Sequence, residues 1–253
     1  MDVLAAATAI GPPLGKVGAA FYFSPEAAAR AEGIGLDVVS LYAAGRGAVL
    51  GGCSPDQVDE TFFFFKSGLI SGVVGAARAK ADQGDILDAH LGSADDFAQS
   101  TYASADPVAL AAFADAALNV VGALPRGRWP LVDGYRSQPM PARPAASAYR
   151  GAVLLRELRG GVHREAVEAV GLSAAVACQF DRGDDYYRLH GFGDADRVPE
   201  TPATLAARVE AETATDTAMA ELLAVLDGSQ LDGLVAGAEL LASTGPAVVL
   251  PGS

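Results

Sequence analysis

A mainly α-helical protein is predicted by three observations. The chain has 253 residues, of which 51% are hydrophobic and only 7% aromatic. The apolar residues are largely Ala and Val, and Ala is the best helix former. Helix-start signals recur at Ser24-Pro25-Glu26, Ser54-Pro55-Asp56-Gln57, Asp106-Pro107 and Thr201-Pro202. In each, a short polar side chain can accept from a free N–H, and the proline that follows suits the first helical turn. Lastly, the long irregular stretch Pro125 to Pro144, with five prolines and Trp129, divides the chain. The expected organisation is an N-terminal helical domain (1–125), a Pro-rich connector (126–144) and a second helical half (145–253).

In order, Val3 to Ile10 reads as a short helix before the breaker Gly11-Pro12-Pro13, and Leu14 to Phe23 as an apolar segment. A helix from Pro25 to Glu32 stops at Gly33-Ile34-Gly35, and another runs from Leu36 to about Arg46. Ser54-Pro55-Asp56-Gln57 is close to a capping box and starts a helix expected to reach Lys80. That helix contains Phe62-Phe63-Phe64-Phe65. Four rings at 100° steps cannot share one face, so it is expected to be buried round most of its girth and to be the central helix. Asp82 to Ala94 reads as a polar turn, Asp95 to Ala103 as a short helix, and Pro107 to about Leu124 as a longer one.

Beyond the connector, Ala145 to Arg159 is expected to end at Gly160-Gly161, followed by short helices Val162 to Val170 and Ser173 to Phe180. An acidic break at Asp181-Arg-Gly-Asp-Asp185 precedes a turn at Tyr186 to His190. Helices from Thr201 to Leu226 and Ser229 to Ala242 follow, and a tail from Thr244 is expected to fray. Three short helices, a loop and a long helix outline a degenerate winged helix, whose hairpin wing would lie within Leu189 to Val198. The long helix from Thr201 has the amphipathicity of a dimer helix, so a homodimer is an expected partner arrangement.

The net charge is −13, and an acidic surface repels phosphate backbones, so nucleic acid is not an expected partner. Cys53 and Cys178 form no CxxC pair and read as reduced thiols. Met1-Asp-Val-Leu-Ala lacks a basic leader region, and each run of about 18 apolar residues is broken by a charge, Gly or Pro. The expectation is a cytoplasmic protein without a membrane span.

Four blocks occur in order: Val17-Gly-Ala-Ala-Phe-Tyr22-Phe-Ser-Pro25-Glu26, Tyr42-Ala-Ala-Gly45-Arg46-Gly-Ala-Val-Leu50-Gly51, Gly127-Arg128-Trp-Pro130-Leu131 and Leu154-Leu155-Arg156-Glu157-Leu-Arg159-Gly160-Gly-Val-His163. Together they resemble an actinobacterial family of helix-rich proteins with a helix-turn-helix-like C-terminal half and no settled activity. Glu210 to Asp216 is similar to that family's late helix. The chain departs from the family twice. Gly18 stands where relatives usually carry a His before the Tyr-Phe-x-Pro-Glu block. The recognition region is shortened to Phe180-Asp-Arg-Gly-Asp-Asp-Tyr-Tyr187, an acidic stub that fits poorly against phosphate.

Arg46 is the one charge between Asp37 and Asp56. A guanidinium keeps its proton, so it must reach water, a carboxylate, a carbonyl or a bound anion. A structural pairing with Glu26, Asp37 or helix carbonyls and an anion-anchoring role are both open. His163 either packs or serves as a ligand or proton-transfer group. His190 reads as an exposed loop residue, and His90, beside Asp88, as a surface residue. The histidine spacing gives no zinc signature, and Asp85, Asp88 and His90 at most a weak metal site. No Gly-x-Ser-x-Gly elbow and no P-loop is present. No metal is therefore expected, and whether a cofactor is used is left open by the sequence.

These residues point to a non-catalytic cytosolic protein that binds a small anionic or aromatic ligand. Its pocket would be walled by Tyr22, Tyr42, Phe62 and Phe65, with Arg46 and His163 as polar contacts. The alternatives are an enzyme of specialised metabolism using Arg46 and His163, and a winged-helix transcriptional regulator.

Overall fold

The computed structural model describes residues 1–181 and 183–246; Arg182, within the acidic break, and the tail from 247 lie outside the described residues. Thirteen α-helices occur among them: α1 (Val3–Val17), α2 (Pro25–Gly33), α3 (Val38–Ala48), α4 (Pro55–Thr61), α5 (Leu69–Arg78), α6 (Gln83–Tyr102), α7 (Pro107–Ala123), α8 (Pro130–Arg136), α9 (Pro144–Ala169), α10 (Ala174–Gln179), α11 (Asp184–Leu189), α12 (Pro202–Leu223) and α13 (Gly228–Thr244). Short 3-10 turns at Ala20–Phe23 and Asp194–Asp196 complete the set, and no described residue is in a strand. The mainly α fold is as predicted. The hairpin wing is absent from Leu189 to Val198, where the described chain makes the turn at Asp194–Asp196 instead.

The central helix is α9, not the helix that starts at Pro55. It runs 26 residues, about 39 Å at 1.5 Å per residue, and packs against α1, α6, α7, α8 and α12. Gly160-Gly161 does not stop it. A Cβ on Gly161 would stand 2.5 Å from Trp129 Cδ1, so the glycine lets the indole lie against the helix instead of ending it. The main core draws on α1, α6, α7, α9, α12 and α13, from both sides of the Pro-rich stretch. That stretch contains α8, whose Val132 and Tyr135 are buried along with Trp129.

The helix begun by Ser54 ends at Thr61, and the Phe block is a turn between α4 and α5. The Ser54–Gln57 capping box forms as read. Asp59 then accepts from the N–H groups of Gly68, Ile70 and Ser71, starting α5 on a side-chain cap. Breaking the helix lets the four rings diverge. Phe62 packs with Val58, Ile70 and Val74, Phe63 and Phe64 go to the C-terminal part of α9, and Phe65 stacks on His190.

α1 continues through Pro12-Pro13 because Ala6, Ala7, Ile10, Leu14 and Val17 form one buried stripe, whose burial outweighs the cost of the prolines. The stretch Val3–Phe23 is long and apolar enough to cross a membrane by length and composition alone, and here it supplies core residues. The supposed turn at Asp82 to Ala94 belongs to α6. Its buried face, Ile86, Ala89, His90, Ser93, Ala94 and Phe97, keeps helical spacing but includes polar residues, which masks the pattern.

Candidate functional site

The site begins with two helices that meet through an ion pair. Asp37 caps α3, which carries Arg46 in its last turn, and α9 carries Glu157. Arg46 Nη2 donates to Glu157 Oε2 at 2.7 Å and Nε to Oε1 at 3.2 Å, a two-pronged pairing. The partner is therefore neither Glu26 nor Asp37: Ser100 donates to Glu26, and Asp37 accepts from Ser40. Glu157 Oε1 also accepts from Arg156 Nη1 at 2.8 Å and from the Tyr22 hydroxyl at 3.3 Å. Phe62 lies under Arg46, 4.3 Å from its guanidinium carbon, and Tyr42 accepts a long hydrogen bond from Nη1 at 3.4 Å.

One carboxylate thus faces two guanidiniums, leaving one net positive charge. Burial alone would raise the Glu157 carboxyl, but Arg46 and Arg156 outweigh it and hold it below its usual range. Burial likewise opposes the Arg46 charge, and Glu157 keeps that guanidinium well above its ordinary value. The Tyr22 hydroxyl is pushed up by burial, against the two arginines, and stays protonated.

Arg46, Tyr42, Phe62, Phe65 and His163 line one cleft of about 880 Å³, together with Arg156 and Glu157. Tyr22 stands behind this wall, holding Glu157 and Arg156. At the other end His163 Nδ1 lies 3.0 Å from Thr215 Oγ1, its Nε2 lies 3.7 Å from Glu212 Oε1, and its ring stacks on Phe64. Arg159 Nη2 donates there to Glu212 at 2.9 Å and to Asp216 at 3.4 Å. Burial lowers the His163 pKa, Glu212 opposing, so the neutral ring is favoured. Trp129 also lines the cleft, stacked under Arg128 at 4.5 Å, and its buried Nε1–H has no acceptor among the described residues.

Two histidines are not where the sequence suggested. His90 is buried, its Nε2 2.6 Å from the Tyr135 hydroxyl, and burial with Arg150 and Arg46 nearby lowers its pKa to about 3. Its neighbour Asp88, like Asp85, is exposed. Gly45 makes room for it: a Cβ there would stand 2.6 Å from His90 Cβ. His190 is also buried, with Nδ1 donating to the Tyr186 carbonyl at 2.7 Å and its ring 4.3 Å from that of Phe65. No group of three or more metal-ligating side chains converges among the described residues.

Sequence reasoning did not single out Glu157, Arg156, Thr215 or Glu212. The available signal was Arg156-Glu157 inside an apolar helix, where a charge needs a partner. Gly18 acquires a reason: a Cβ there would lie 2.6 Å from Arg156 Cδ, so this chain fills with Arg156 the space a side chain at that position would need.

Helices without strands among the described residues, closed around a cleft, place the chain among all-α proteins. Residues 7–190 match a helix-turn-helix family, and the chain belongs to it. The match ends after α11 and so takes in the short pair α10 and α11, whose Cys178 and Tyr186 also line the cleft. No curated protein and no solved structure matches the chain.

Proposed function

We propose that this protein is a non-catalytic cytosolic binder of a small anionic ligand with an aromatic or apolar body, within the helix-turn-helix family. The observation that carries this reading is the Arg46–Glu157–Arg156 cluster at the wall of the cleft. The cluster has one more cation than anion, in a low-dielectric setting of aromatic rings where an added carboxylate gains most. The cleft volume of about 880 Å³ lies within the range of small-molecule sites. Arg46 is engaged by Glu157, so the added anion meets Arg156 and the outer edge of Arg46. A thermal-shift screen of aryl carboxylates tests this reading. Members of the screen should raise Tm, and Arg156→Gln, which leaves the Arg46–Glu157 pair in place, should weaken their binding about tenfold. A screen without any stabilising anion, or equal binding by Arg156→Gln, overturns it.

A second reading, transcriptional regulation, is favoured by the family match. Against it, α11 is six residues long and opens on Asp184 and Asp185, while Arg197 is engaged with Asp184 and Arg164 with Glu168. A gel-shift at low salt with DNA upstream of the gene decides between them, since a phosphate-contacting protein binds most tightly there. The enzyme alternative rests on Arg46 and His163 lining one cleft. Turnover lost in His163→Gln with binding retained would support it.

A further inference from the structure

His163 is held by one defined hydrogen bond. The Thr215 hydroxyl is fully buried and lies 2.7 Å from the Ala211 carbonyl, which takes its single proton. Thr215 Oγ1 is then an acceptor for His163, so Nδ1 carries a proton, and in the neutral ring that burial favours Nε2 keeps its lone pair. Nε2 and Glu212 Oε1, 3.7 Å apart, are two acceptors without a donor between them among the described residues. Counting Arg159, Glu212 and Asp216, this end of the cleft carries one net negative charge. The Arg46–Arg156–Glu157 end carries one net positive charge.

Both ends are aligned by α9. Arg156 and His163 are seven residues apart, which places them about 10 Å apart along the axis and within about 20° around it. Between them on the same stripe is Gly160, also lining the cleft. A Cβ on Gly160 would meet no protein atom within 4 Å, unlike one on Gly161. A mid-helix glycine is destabilising relative to Ala, and no packing neighbour calls for this one. Its missing side chain opens the helix backbone to the cleft.

We propose that the cleft reads its ligand at both ends, taking an elongated aryl carboxylate that lies across Gly160. Its anion meets Arg156 and Arg46, and an O–H or N–H donor about 10 Å away bridges His163 Nε2 and Glu212. This rests on the small-molecule reading above and adds the ligand's length and second group. Isothermal titration of the full chain with aryl carboxylates of graded length tests it. The series runs from 4-hydroxybenzoate through 4-hydroxycinnamate to 4′-hydroxybiphenyl-4-carboxylate, each with its amino, deoxy and methoxy counterparts.

The expected result is an optimum length at which a donor-bearing member binds about tenfold tighter than its deoxy and methoxy counterparts. The hydroxy and amino arms tell an O–H donor from an N–H donor, since an aryl amine is uncharged near neutral pH. His163→Leu should erase the preference for a donor. Gly160→Leu should weaken all members about tenfold or more while leaving Tm unchanged or higher, because Leu is the better helix former. Aryl carboxylates that bind with no donor preference at any length, or Gly160→Leu binding like the wild type, overturn the two-ended reading and leave the anion site standing. If no member binds, both readings fail.

Discussion

Arg46 on α3 and Glu157 on α9 form a buried two-pronged ion pair, 2.7 Å at its shorter arm, that joins the first 50 residues to the central helix. Side-chain exposure is 9% for Arg46 and 3% for Glu157, so neither charge can turn to water when its partner is removed.

Breaking that pair from one side should therefore be severe. Glu157→Leu leaves two guanidiniums facing each other and is expected to cost about 3–5 kcal/mol; Arg46→Met should cost less, because Arg156 still pairs with Glu157. The double variant Arg46→Met/Glu157→Leu removes both charges and should be less destabilised than the sum of the two. Urea denaturation of the four proteins measures the coupling, and additive losses would mean the pair does not act as a unit.

Gly18→His places a side chain where the fold leaves no room and should harm this chain. Its Cβ falls on the Arg156 stem, so Arg156 must leave Glu157 or the backbone must shift, at about 1–3 kcal/mol. The companion Gly18→His/Arg156→Gly should recover part of the loss. Thermal unfolding of both variants provides the comparison.

Acid should loosen the fold before ordinary carboxylates titrate. Burial, with Arg150 and Arg46 nearby, lowers His90 from 6.5 to about 3, so between those values the unfolded chain binds more protons than the folded one. Stability is complete above the unfolded value and falls with pH below about 6.5. The loss reaches on the order of 5 kcal/mol for this group. Glu157, also lowered in the fold, adds to the loss below pH 4.5. His90→Gln should flatten the slope of unfolding free energy between pH 6.5 and 5; an unchanged slope would assign it to other groups.

The two thiols should react at different rates. Cys178 is buried, its thiol close to the Phe64 carbonyl, and burial pushes its pKa up to about 12. Cys53 is half-buried. A soluble aromatic disulfide should label Cys53 first in the native protein and Cys178 mainly after unfolding, since the thiolate is the reactive form. Rapid labelling of both would show that the α10 region opens readily.

Much of the helix framework was legible because caps are local. Ser24-Pro25, Ser54 with Gln57, Asp106-Pro107 and Thr201-Pro202 each start a helix where the residues say, since the side chain that accepts the free N–H lies within three residues. The misread interiors depend on distant neighbours. α9 passes Gly160-Gly161 because Trp129 packs there, and α6 buries His90 because Gly45 and Tyr135 receive it. The Phe block turns because its rings have partners in three directions.

The candidate site divides in the same way. The sequence by itself established that Arg46 needed a partner, because a guanidinium in an apolar segment cannot be left unpaired. It also marked His163 and the aromatic block as candidates, by residue type and position. Tertiary structure alone decided that the partner is Glu157, 111 residues away, that Arg156 adds a second cation, and that Arg46 and His163 face one cleft. A cap is a bond between chain neighbours, but a cleft is made by helices brought together through burial, and the order of residues does not state that meeting.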